Sequence, residues 1–281
     1  MKGKETHPKI RRAGIVLKAY TSGLVAPTVK LIRILERAGI KVVVEASLHE
    51  HFPGYQAAAV EKMDVDLVVT IGGDGTILRT MQACHAPVLA INAGIMGFLA
   101  EVPLSKAEAG LKRVLRGDYL IDRRLRLDPR LNGRRLAPCM NEVVVHTSSV
   151  AKMIHFEVLR ESKLIYRVRA DGVILATPTG STSYNLSVGG PIIDPEVDAF
   201  VLSPIAPFSL ATRPIVVPAR SEVEVRMTDE RSAILVLDGQ VNLPFQRTDH
   251  LTVTRSPHDG EFIRFSRDFY QRLREKHAIH L

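Results

Sequence analysis

The residues best suited to chemistry lie in short blocks rich in glycine and hydroxyl groups. The first is Gly72-Gly73-Asp74-Gly75-Thr76, which follows an apolar β-branched run at 67–71 and precedes a helix-like stretch at 76–84. Three glycines in four positions let the backbone turn tightly and bring its N–H groups against a ligand. A helix N-terminus behind such a turn favours a phosphate. Asp74 then stands beside that anion, as a general base toward a hydroxyl or as a ligand for the Mg²⁺ that accompanies nucleotides. The plain alternative is a strand-to-helix turn with Asp74 as its N-cap.

Asn92-Ala93-Gly94-Ile95-Met96-Gly97-Phe98-Leu99 repeats the design one strand later, at the carboxyl end of the run 87–91. Ligands of open α/β sheets bind at such ends, so two glycine loops on one edge read as a phosphate cradle. Further on, Asp171-Gly172 leads into a strand, and Thr177, Thr179, Ser181, Thr182 and Ser183 then crowd hydroxyls ahead of Tyr184. These groups suit ribose or phosphate, and Tyr184 suits an adenine face. Ser181 lacks the closing glycine of a nucleophile elbow, and no Gly-Lys-Ser/Thr occurs for a Walker loop. The alternative is a polar cap on a short helix. Asn141-Glu142, just before the strand 143–145, also suits ribose hydroxyls. His146 and His155 have no Asp or Ser partner at readable spacing and read as structural.

These blocks need elements to position them. Up to residue 118, strand-like runs (13–19, 40–44, 67–71, 87–91) alternate with helix-like ones (27–38, 76–84, 104–115). Apolar strands alternating with helices argue a parallel sheet covered on both faces. Beyond about 119 the texture changes to short strands, at 143–145, 154–159, 164–168, 173–176, 215–217, 223–227, 234–237 and 251–254. That pattern points to a sandwich-like all-β domain. Only 182–188 and 268–275 look helical there. The expected organisation is an α/β domain at 1–118 carrying GGDGT and a β-rich domain at 119–265. A final helix near 266–281 is expected to pack back on the first domain.

Composition bounds the function. The chain has 281 residues, no apolar run of transmembrane length and no secretory signal pattern at its start. Its two cysteines, Cys84 and Cys139, are far apart, which disfavours a disulfide framework or thiolate zinc site and suits the cytoplasm. The net charge of +8 is concentrated in two places. Residues 1–12 and the arginine-rich stretch 120–136 carry +4 each, and the rest is neutral. With aromatics at 5% and no Trp, the stacking residues of single-strand nucleic-acid binders are missing. Neither nucleic acid nor membrane is an expected partner. The arginines at 123–135 read as a solvated face, or as a field that steers anionic substrates.

GGDGT at 72–76, NAGIMGFL at 92–99, NE at 141–142, RADG at 169–172, TPTGSTSYNLSVGGP from Thr177 to 191 and DGQ at 238–240 together resemble the NAD kinase family, in the bacterial type of ATP-NAD kinase. The resemblance covers about 70–249, and its most specific block is TPTGSTSY. It implies an α/β domain followed by a β-sandwich-like one with the site between them. It also implies transfer of the γ-phosphate of ATP to the 2′-hydroxyl of the adenosine ribose of NAD, with Mg²⁺ accompanying ATP. By match to the motifs, Asp74 is the general base. Gly72, Gly73, Gly75, Thr76, Arg79, Asn92, Gly94, Gly97 and Phe98 bind nucleotide. Asn141, Glu142, Lys152, Arg169, Asp171, Thr179, Thr182, Ser183, Tyr184, Asn185, Ser187 and Gln240 line the dinucleotide pocket, some of them serving a neighbouring subunit of a homodimer or homotetramer. No protein residues are expected to form a metal site. The chain departs from the family pattern at Lys152 (commonly Arg), Phe208 (commonly His) and Ser183 (commonly Ala). Two other readings remain open from the residues alone. One is a kinase of another small hydroxyl acceptor. The other is a non-catalytic dinucleotide sensor, which would have no use for Asp74.

Overall fold

The computed structural model describes residues 7–18, 22–94, 97–266 and 269–277. The chain divides into two compact units, Met1–Arg123 with Gly260–Leu281, and Arg124–Asp259.

The first unit begins β1 (Arg12–Leu17), α1 (Ser22–Arg37), β2 (Lys41–Glu45), β3 (Gln56–Ala58), β4 (Leu67–Gly72), α2 (Asp74–Ala83) and β5 (Val88–Asn92). It continues through β6 (Val102–Pro103), α3 (Ala107–Leu115) and β7 (Leu120–Arg124). Every residue of β4 and β5 is buried, as strands covered on both faces require. Helix α1 buries Leu24, Leu31, Ile32 and Leu35, spaced at three, four and seven residues along one stripe. It starts at Ser22, ahead of Pro27 where the sequence pattern places its beginning.

The second unit contains β8 (Leu127–Leu131), β9 (Arg134–Arg135), β10 (Glu142–Thr147), β11 (Ile154–Arg160), β12 (Lys163–Ala170) and β13 (Gly172–Ala176). After a single 3₁₀ turn, Gly180–Thr182, come α4 (Tyr184–Ser187), β14 (Ala199–Ile205), β15 (Ile215–Pro218), β16 (Val223–Met227), β17 (Ala233–Leu237), β18 (Val241–Phe245) and β19 (Leu251–Arg255). Two antiparallel six-stranded sheets result, ordered β15-β14-β13-β10-β17-β18 and β12-β11-β16-β19-β8-β9. Val143, Val145, Val173, Leu175 and Leu235 of one sheet share a core with Phe156, Val158, Val168, Val225 and Val253 of the other. The opposite face of the first sheet buries Val144, Ile174, Val201 and Ile205 with Ile193, so β13 is apolar on both sides.

The chain then returns to the first unit as β20 (Gly260–Arg264) and α5 (Phe269–His277). The first sheet runs β3-β2-β1-β4-β5-β20-β7, with β6 on β5. Its pairings from β3 through β20 are parallel. Two features differ from the expected boundaries. Strand β7 extends the first unit past 118, and residues 260–265 complete its sheet instead of closing the β-rich unit. The helix expected over 182–188 is one turn long. The helix expected near 266–281 is α5, tied down by Arg272 on Glu101 and by buried Leu273; its end beyond 277 lies outside the described residues.

The arginine stretch is largely committed within the fold. Arg126 is buried and donates to the His258 carbonyl (2.9 Å), Arg123 pairs with Glu261 (3.0 Å), and Arg130 and Arg135 both pair with Asp128. Arg134 remains at the surface. Of the basic segment 1–12, residues 1–6 lie outside the described residues.

Candidate active site

Strand β4 delivers Gly72 to the carboxyl edge of the first sheet, in register with Asn92 at the end of β5. Gly73 is the extended residue before α2, and Asp74 is the first helical residue rather than the cap. Its side chain makes no capping bond. Its carboxylate reaches across to the second glycine loop, accepting the Phe98 N–H at Oδ2 (2.8 Å) and the Leu99 N–H at Oδ1 (3.3 Å). A Cβ at Gly97 would overlap this carboxylate, so the loop approaches Asp74 this closely only through a glycine. The two glycine blocks are therefore one constellation.

Around it, the Gly73 carbonyl accepts the Thr76 N–H (3.0 Å), and Gly75 is exposed. Asn92 donates to the Gly94 carbonyl (2.9 Å), while its own Oδ1 is buried without a protein partner. Phe98 is half-buried. Arg79 does not face the glycines freely. Its guanidinium grips Glu45 with both Nη atoms and donates to the Leu17 carbonyl (3.2 Å), tying α2 to the ends of β1 and β2.

In the second unit a different carboxylate organises the strand entry. Asp238, in a β17–β18 hairpin turn with φ of +49°, accepts the backbone N–H groups of Met140, Asn141 and Glu142 (2.7, 2.8 and 3.0 Å). The TPTG segment packs onto the same place. Thr177 donates its N–H to the Asn141 carbonyl (2.8 Å), and a Cβ on Gly180 would collide with that carbonyl oxygen. Glu142 is 6% exposed and accepts Ser183 Oγ at Oε1 (3.2 Å). Burial, and secondarily the Asp238 charge, push its carboxyl up to about 8. Three buried polar atoms here have no protein partner: Glu142 Oε2, Asn141 Oδ1 and Thr179 Oγ1. Buried polar atoms are almost always hydrogen-bonded, so these three together have capacity for a water or a polar ligand.

The remaining expected residues divide by environment. Thr182 donates its hydroxyl to the Thr179 carbonyl (3.2 Å). Tyr184 is 36% exposed, and burial and the Asp171 carboxylate hold its phenol above the ordinary range. Asn185 is wholly enclosed: it donates to Ser181 O and Pro191 O and accepts Ser203 Oγ (2.6 Å), so it shapes the loop from inside. Lys152, Ser187 and Gln240 are exposed. Arg169 is exposed and lies over the Phe208 ring, 5.1 Å from its centroid. The organising role of Asp238 was not read from the sequence. Its signal is the Asp-Gly pair of a tight hairpin, but the three amides it holds lie about a hundred residues away.

A carboxylate held at the N-terminus of a helix behind a glycine turn, with a buried hydroxyl-rich segment elsewhere in the chain, fits a nucleotide-using phosphotransferase. Models of the ATP-NAD kinase N-terminal and C-terminal domains match residues 13–119 and 140–265. Relatives include the NAD kinase of Methanothermobacter thermautotrophicus, 38% identical over 94% of this chain and 95% of its own. Another is the NAD kinase of Thermococcus kodakarensis, 41% identical over 86% and 90%. Among solved structures, an NAD kinase from Archaeoglobus fulgidus in complex with ATP superposes with a TM-score of 0.76 (30% identity, 95% of this chain and 97% of that one). A yeast NADH kinase complexed with NADH gives 0.86 (25% identity, 96% and 88%). The chain belongs to the ATP-NAD kinase family, and its activity is that of an NAD kinase, ATP-dependent phosphorylation of NAD to NADP.

Proposed function

We propose that Asp74 is the general base of this reaction. It takes the proton from the adenosine 2′-hydroxyl of NAD as that oxygen attacks the γ-phosphorus of ATP. The new O–P bond forms as the bond to the β–γ bridging oxygen breaks, and ADP leaves. The observation that carries this reading is the fixed orientation of the Asp74 carboxylate by two backbone N–H groups, at the carboxyl edge of a parallel sheet. Phosphoryl transfer needs mainly positioning and charge stabilisation. The amides of Gly73 and Gly75 at the start of α2 are suited to phosphate, the Thr76 N–H being taken by the Gly73 carbonyl, and Arg79 contributes by locking α2 to Glu45.

In the second unit, Glu142, Asn141 and Thr179 offer the unpartnered atoms that hydroxyls of the dinucleotide satisfy. A largely protonated Glu142 donates as well as accepts. Ser183 orients Glu142, Tyr184 supplies a face for adenine, and Thr182 and Asn185 shape the loop. Asp171 and the exposed Lys152, Arg169, Ser187 and Gln240 form the outer ring of contacts. Among the described residues no group of three His, Cys, Asp or Glu side chains gathers to hold a metal. We take Mg²⁺ as part of the substrate, MgATP, held by the phosphates. Assembly as a homodimer or homotetramer, which the family resemblance implies, is measurable as mass in solution. Two buried free thiols accord with a cytoplasmic setting, and among the described residues no helix is long and apolar enough to cross a membrane.

The test is a coupled assay of NADP formation from NAD and MgATP by purified protein and by Asp74→Asn. Formation by the first and a roughly 10²–10⁴-fold loss of kcat in the second are expected. Equal turnover by both removes Asp74 from the mechanism.

A further inference from the structure

The Asp74 carboxylate is held by the N–H groups of Phe98 and Leu99, and the question is what holds those peptides. The loop after Gly97 has no helix or sheet pairing of its own until β6. The Leu99 carbonyl, on the far side of the same residue, accepts Arg264 Nη1 (2.8 Å). Arg264 comes from β20, 165 residues later in sequence, and its side chain is 2% exposed. Its Nη1 also reaches Glu101 Oε2 (3.2 Å) and its Nε reaches Asp122 Oδ2 (3.3 Å) on β7. The guanidinium lies over the Phe262 ring, 4.6 Å from its centroid.

Glu101, with a side chain 4% exposed, closes the network from the other side. Its N–H bonds the Ala90 carbonyl of β5 (2.8 Å), its Oε1 accepts the Phe265 N–H (2.7 Å), and its Oε2 also accepts Arg272 Nη2 of α5 (2.5 Å). Two arginines and two carboxylates thus fix both ends of the segment from Leu99 to Glu101. A buried ion-pair network is weak evidence for added stability, because desolvation offsets much of the attraction. Its value lies in geometry: a planar guanidinium holds one carbonyl and two carboxylates in fixed directions, which a compact ammonium with rotatable donors on a flexible stem does not enforce.

We propose that Arg264, braced by Glu101, is a positioning residue for catalysis: through the Leu99 carbonyl it sets the Phe98 and Leu99 amides that aim the Asp74 carboxylate. The returning segment β20–α5 is then part of the catalytic apparatus and not only a sheet completion. This rests on the reading of Asp74 as the base.

The experiment is a double-mutant cycle of Arg264→Lys and Asp74→Asn in the full chain, with kcat, the KM values for NAD and ATP, and Tm measured for each. Arg264→Lys is expected to lower kcat roughly 10- to 100-fold, the scale of an ångström-sized misplacement, with both KM values unchanged. In the Asp74→Asn background it should have little further effect, since the two act as one unit. Leu35→Ala, a core truncation on α1 of the same unit, controls for stability: it should lower Tm and leave kcat intact well below Tm. Glu101→Gln removes the charge that braces Arg264 and serves as the second variant if Arg264→Lys does not fold. An unchanged kcat, a loss that appears equally in KM, or effects that multiply fully with Asp74→Asn would overturn the proposal. Asp74→Asn alone reports on the base itself, so a wild-type rate there identifies the failure as that of the underlying reading.

Discussion

Two carboxylates carry the account, and their surroundings are opposites. Asp74 is half-buried at a helix start, and its two oxygens are each met by a backbone N–H from a neighbouring loop. Glu142 is sunk in the β-rich unit with one oxygen on Ser183 and the other on nothing. The Asp74 carboxylate is thus oriented by donors on both oxygens. A carboxyl group deprived of water and faced by another carboxylate keeps its proton and donates. The same carboxyl group can therefore serve as the proposed proton acceptor in one unit and as a neutral binding group in the other. The difference follows from which backbone atoms the fold turns toward each.

The contrast can be broken most severely at the glycine that permits the first environment. Gly97→Ala places a methyl group where the Asp74 carboxylate now lies. We expect a loss of kcat of about 10²-fold or more, with secondary structure intact by circular dichroism. Activity near wild type would mean that the carboxylate need not stand where it does. In the second unit, Asp238→Asn replaces an acceptor of three amides with a group that presents N–H to at least one of them. It should cost about 2–3 kcal/mol in denaturant unfolding and weaken NAD binding more than ATP binding.

Glu142→Gln sharpens the comparison through pH. The folded carboxyl titrates at about 8, well above its ordinary 4.5, so the folded state holds a proton that the unfolded chain has released. Stability from this group is present below about 4.5 and is lost progressively as pH rises toward 8. Glu142→Gln, which never ionises, should become more stable relative to wild type as pH increases over that window. A difference in Tm that does not vary with pH would show that Glu142 is not held protonated. The smallest effect is expected at the surface. Arg134→Glu should raise KM for the anionic substrates only a few-fold at low salt and not at high salt, because most neighbouring arginines are already paired.

Much of this was legible in the sequence, for physical reasons. The blocks at 72–76 and 92–99 announce themselves because a backbone that must approach a ligand or another loop needs glycine. The β-branched runs 67–71 and 87–91 show a doubly covered parallel sheet. The short alternating runs after 119 show an antiparallel unit. What stayed hidden depends on distance along the chain. That Asp74 answers to Phe98 and Leu99 and is no N-cap, that Asp238 holds 140–142, and that residues 260–264 return to the first sheet are all long-range facts that no local pattern encodes. The resemblance implies Arg79 and Asn185 as ligand groups, and the fold gives both protein partners as well: Arg79 holds Glu45 across 34 residues, and Asn185 meets its neighbours Ser181 and Pro191 and the more distant Ser203.

The central claim is that Asp74 acts in the chemical step and not in holding substrate. Its most direct test is the single-turnover rate of phosphoryl transfer by Asp74→Asn, measured alongside the Kd for NAD on the same preparation. The account predicts a rate roughly 10²–10⁴-fold below wild type with a Kd nearly unchanged. A rate close to wild type, or a loss accounted for entirely by weaker NAD binding, would contradict it.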